Sequence, residues 1–130
     1  CKEIARVLKP KGRFICSTYS KEHMKEIRQL VQEFDHRILL SAENLYDKFG
    51  LENGAEILQC TFKNVQMERY VDEILLDDAD PLIAYILSCH GNQNQYLLDR
   101  YNDFRSYIVK KVGKQFRITK DAGIFCAERE

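Results

Sequence analysis

Residues 13–18 (Arg13, Phe14, Ile15, Cys16, Ser17, Thr18) constrain the fold of this chain more than any other stretch. The apolar residues are consecutive rather than alternating, and turn signals bound the run. That combination predicts a strand buried on both faces, as in a parallel sheet. Ahead of it, Cys1, Ile4, Ala5 and Leu8 share the one-face spacing of a helix. Pro10 disfavours helical geometry at Lys9, and Gly12 supplies the turn. Behind it, Ser20 is the expected N-cap of a second helix, with Glu22 near its positive end. Met24, Ile27, Leu30, Val31 and Phe34 form the apolar stripe of that helix. Helix, strand and helix in this order predict an α/β fold.

Downstream, Ser41 is the expected cap of a brief helix carrying Leu45 and Phe49, which Gly50 stops. Asn53 with Glu56 three residues later has capping-box spacing and predicts another helix through Ile57 and Leu58. Residues 65–76 alternate imperfectly, with Arg69 and Glu73 interrupting one apolar face, which predicts a strand near a sheet edge with one partly wet face. Asp80 followed by Pro81 has the pattern of an N-cap acid with proline at the first helical position, opening a helix to Cys89. Leu97, Tyr101, Phe104, Ile108 and Val112 predict one long helix over 93–113 that Gly113 ends. Residues 115–119 and 123–127 read as two strand arms around a turn at Lys120, Asp121, Ala122 and Gly123. No repeat, low-complexity segment or linker divides the 130 residues, which are expected to form a single domain.

Composition narrows the function. Twenty basic and twenty acidic side chains cancel, which argues against a duplex nucleic-acid binder that works through a general positive field. No apolar run approaches the roughly 18–20 residues of a membrane span. Five cysteines (Cys1, Cys16, Cys60, Cys89, Cys126) without a Cys-x-x-Cys pair fit neither a zinc knuckle nor a secreted disulfide frame, so a reducing cytoplasm is expected. The chain starts on Cys1 inside a helical pattern, so we expect a piece of a longer protein.

The clusters that could carry chemistry have plainer readings. Asp77, Asp78 and Asp80 lack the glycine of a calcium loop and read as a solvated turn plus a cap. Cys16 and Cys126 lie in apolar runs, where a free thiol is a small core residue. Lys110, Lys111 and Lys114 suit the negative end of a helix. Of the three histidines, His36 and His90 fall near helix ends, and His23 lies just after the first strand. Glycine-rich phosphate loops are absent from the sequence, so a nucleotide-like cofactor has no cradle in these residues.

The segment Glu3, Arg6, Val7, Leu8, Lys9, Pro10, Lys11, Gly12, Phe14 resembles the E-x-x-R-V-L-K-P-G-G segment of class I S-adenosylmethionine-dependent methyltransferases, departing from it at Lys11. Residues 49–54, then Phe62, Val65 and Tyr70, then 77–88, are similar to one bacterial-type subgroup of that family. Residues 118–126 resemble its last strand. The resemblance implies the C-terminal half of a Rossmann-like methyltransferase sheet: the last three strands, mixed parallel and antiparallel, with the final one inserted antiparallel between the other two. Residues 77–113 would be a helical insertion. It also implies that S-adenosylmethionine is bound mostly by residues ahead of Cys1, and that this chain alone is inactive and binds the donor weakly.

Ligands of open α/β sheets lie beyond the carboxyl ends of the strands. Ser17, Thr18, Tyr19 and His23 are therefore the expected substrate-side residues, with Tyr19 and His23 foremost, facing a methyl acceptor whose identity stays open. Catalytic residues are not identifiable, and no metal is expected. The strand at 13–18 would lack a neighbour on one side, so the chain is expected to self-associate through that edge. The alternative is a non-catalytic α/β interaction or dimerisation module whose helix at 93–113 presents a partner face.

Overall fold

The computed structural model describes residues 1–130. In chain order, helix α1 (Lys2–Val7) leads to strand β1 (Arg13–Tyr19), then α2 (Lys25–Phe34), α3 (Leu45–Lys48) and α4 (Gly54–Gln59). Strand β2 (Lys63–Leu76) follows, then α5 (Ala79–Ser88), α6 (Gln93–Leu97), a 3-10 turn (Leu98–Arg100), α7 (Tyr101–Val112) and strand β3 (Phe116–Glu128). The fold is α/β. Its strands form a three-stranded sheet in the order β1-β3-β2, so the last strand in the chain lies between the other two. β3 runs antiparallel to β1, from Arg13 opposite Glu128 to Tyr19 opposite Ala122. Arg69 bonds Asp121 and Glu73 bonds Arg117, so positions climb along β2 as they fall along β3. That pair is antiparallel too, and no parallel pair of neighbouring strands occurs in the sheet.

The chain divides into two compact units. The first comprises residues 1–23, 44–72 and 120–130; the second comprises 24–43 and 73–119. Each has its own core. In the first unit, Leu51, Leu58, Phe62, Phe125 and Ala127 are buried together, with Phe14 and Cys16 packed against them. In the second, Ile27, Leu30 and Val31 of α2 pack with Leu82, Ile83 and Ile86 of α5 and with Phe104, Ile108 and Val112 of α7.

Several local expectations are corrected. β1 is an edge strand with one covered face: Phe14, Cys16 and Thr18 turn inward, whereas Arg13, Ile15 and Ser17 are exposed, Ile15 at 62%. A run of apolar letters cannot tell two covered faces from one. α2 begins at Lys25 behind Met24 in the left-handed conformation, and Ser20 instead accepts the Glu22 N–H in a preceding turn. The cap of α5 is Asp78, whose carboxylate accepts from the Asp80 N–H, so Pro81 sits third in the helix. Asn53 does not cap α4 with its side chain; its amide holds the preceding turn through the Gly50 N–H and the Asp47 carbonyl.

The expected helix over 93–113 is broken by the 3-10 turn. Leu97, Phe104, Ile108 and Val112 are buried in the second unit's core. The two arms expected around Lys120–Gly123 are one continuous strand. At the turn before β1, the left-handed φ of 60° falls on Lys11, the position where the resembled motif has a glycine. Glycine takes that conformation without the steric cost a lysine bears. Gly12 is needed for a different reason: a Cβ there would lie 2.7 Å from the Lys9 carbonyl oxygen.

Candidate functional site

The first unit gathers its polar chemistry where β1 ends. β1 and β3 stay in register past Tyr19, because the Ser20 N–H donates to the Asp121 carbonyl at 3.0 Å. That pairing brings the Asp121 side chain, in the middle of β3, to the end of β1. Asp121 is 2% exposed. A carboxylate that buried needs charge-assisted partners. The Arg69 guanidinium from β2 donates through Nε to Oδ1 at 2.7 Å and through Nη2 to Oδ2, and the Ser20 hydroxyl also donates to Oδ2. Arg69 beside it holds the Asp121 carboxyl below the ordinary aspartate value, against the opposing effect of burial.

His23 belongs to the same constellation. Its Nδ1 accepts the Asp121 backbone N–H at 2.9 Å, and its ring stacks on Tyr19 with centroids 5.2 Å apart. With Nδ1 accepting, a neutral imidazole carries its proton on Nε2.

Of the four residues expected on the substrate side, the structure brings Tyr19 and His23 together. Thr18 turns to the opposite face of β1 from Ser17 and Tyr19, as strand alternation requires. Its hydroxyl donates to the Phe49 carbonyl at 2.7 Å, a structural bond. Ser17 lies in a groove of about 350 Å³ on the open face of the sheet, with Glu68, Tyr70, Ala122 and Ile124. Sequence reasoning missed Asp121, which it placed in a turn, and saw in Arg69 only a broken apolar register. The available signal was the pair itself: an acid inside one apolar strand and a base inside another.

The remaining clusters are structural. Asp78 caps α5, and Asp80 accepts from Arg105 at 2.6 Å. Lys111 pairs with Glu33 at 2.9 Å. The five cysteines are unpaired. Burial pushes the Cys16 and Cys89 thiols up, away from thiolate. No group of three or more His, Cys, Asp or Glu side chains is placed to hold a metal ion. No helix is long and apolar enough to cross a membrane.

The buried carboxylate is committed to Arg69 and Ser20, the Thr18 hydroxyl to Phe49, and the groove beside Ser17 opens on the sheet surface. No family model matches the chain, and no curated protein matches it.

Proposed function

We propose that this chain is the C-terminal part of a class I S-adenosylmethionine-dependent methyltransferase domain. It contributes sheet and one wall of the substrate side, and the donor site lies mainly in upstream residues. The observation that carries the reading is the strand order β1-β3-β2, with the last strand inserted antiparallel between its neighbours. That order is what the motif from Glu3 to Phe14 implies for the strands that follow it. The helices between β2 and β3 occupy the place of the implied insertion over 77–113. In the complete domain the sheet would become mixed and Rossmann-like, with parallel strands added beyond β1. The methyl acceptor stays unassigned, since one fold of this kind serves many substrates.

On this reading, Tyr19 and His23 line the acceptor side and help to position the acceptor. Methyl transfer depends on such positioning more than on a covalent nucleophile. The test begins with the coding sequence upstream of Cys1, which should encode a glycine-rich strand–turn–helix and then a strand ending in an acid. The protein from the whole reading frame should bind S-adenosylmethionine by calorimetry, and the 130-residue chain should not. Micromolar binding by the 130 residues alone, or an upstream region without that pattern, would sink the proposal.

A further inference from the structure

We propose that the open edge of β1 pairs with β1 of a second copy of this chain, antiparallel and centred on Ile15, to make one continuous sheet across two chains. The hydrogen-bond phase of β1 carries the argument. Gly12 accepts from the Arg129 N–H at 2.9 Å, and Ser20 donates to Asp121 at 3.0 Å. Bonding alternates along an antiparallel pair. The even-numbered residues between these two therefore face β3, and Arg13, Ile15, Ser17 and Tyr19 direct their N–H and C=O groups outward. The Tyr19 carbonyl accepts the Leu51 N–H at 3.3 Å. Arg13, Ile15 and Ser17 are left as an open edge.

These three residues are symmetric about Ile15. A two-fold axis there sets Ile15 opposite its own copy and Arg13 opposite Ser17 on both sides, and each of these pairs exchanges both backbone bonds. No like charges face one another. The side chains of Arg13, Ile15 and Ser17 share the open face of the sheet, so Ile15, 62% exposed, gains an apolar cross-strand neighbour. The other edge of the sheet is built differently. β2 carries Lys63, Glu68, Arg69, Asp72 and Glu73, the charged residues that discourage edge pairing, whereas β1 has neither lysine nor proline. The partner that fits is a second identical edge.

The inference concerns these 130 residues by themselves and does not rest on the methyltransferase reading, under which a parallel strand of the complete domain would take this edge instead; donor binding tests that reading separately. In analytical ultracentrifugation the chain should reach twice its single-chain mass as concentration rises. The amides of Arg13, Ile15 and Ser17 should then exchange at least tenfold more slowly, while those of β2 stay unchanged. Ile15→Lys, which places two ammonium groups at the axis, should restore the single-chain mass; Tyr70→Lys on β2 should not. Exchange on the unsubstituted chain decides the matter if Ile15→Lys fails to fold. A single-chain mass at every concentration, or a dimer whose three amides exchange freely, would overturn the proposal.

Discussion

Asp121 is the residue on which the first unit's polar structure converges. Three strands' worth of chain meet at one carboxylate: Ser20 after β1, Arg69 from β2, and Asp121 itself in β3. Replacing it with Ala leaves the buried Ser20 hydroxyl without an acceptor and the Arg69 guanidinium without its partner. We expect Asp121→Ala to lower stability by about 2 kcal/mol, read from the urea midpoint, and Asp121→Asn to cost less because it keeps an acceptor. The folded carboxyl lies below its unfolded value. Its contribution is therefore complete above the unfolded aspartate value near about pH 4, and is lost as pH falls through the folded one. The stability difference between the parent and Asp121→Asn should be constant at neutral pH and shrink below about pH 4. The sequence announced an acid in a turn. Only its distance from Ser20 and Arg69, far away in the chain, makes it a buried hub.

At the scale of elements, start and stop signals were legible and their assignment to single residues was not. The acids before α5 illustrate this. Asp78, Asp80 and Pro81 all favour the first turn of a helix, so their presence predicts where α5 begins to within two residues. Which acid caps depends on the backbone that arrives from β2: Asp78 is extended and accepts from the Asp80 N–H, and Asp80 is drawn to Arg105. Asp78→Ala should cost about 1 kcal/mol in thermal or urea unfolding, and Asp80→Ala clearly less, since its ion pair is exposed. The reverse order would restore Asp80 as the cap. α7 and β1 teach a related lesson. The stripe through Phe104, Ile108 and Val112 was periodic enough to find, but periodicity cannot see the 3-10 turn at Leu98–Arg100 that breaks it from α6.

At the scale of the molecule, the two cores were not anticipated. A chain of this length without a linker suggests one domain, yet residues from three separated stretches build the first unit and from two the second. Both β2 and β3 contribute residues to each unit. If the cores are distinct, large-to-small substitutions should act within the unit that holds them. Phe104→Ala and Phe125→Ala each remove a ring with 0% exposure and should each cost about 3–5 kcal/mol. Hydrogen exchange should rise most over 24–43 and 73–119 for the first, and over the remaining residues for the second. An identical exchange pattern for the two variants would show one cooperative core instead.

By itself, the sequence determined the α/β class and the approximate positions of most helices and strands, but not which residues cap them. Class and positions depend on residues within a turn or two of one another, where propensity and apolar period act directly. Tertiary structure alone decided that Asp121 meets Arg69, Ser20 and His23; the place of β3 between β1 and β2 and the open edge of β1 were expected only through the family resemblance, not from local pattern. Each of these is a contact between residues far apart in the chain, set by register and by which apolar face finds cover. No local pattern encodes such a choice until the whole sheet has formed.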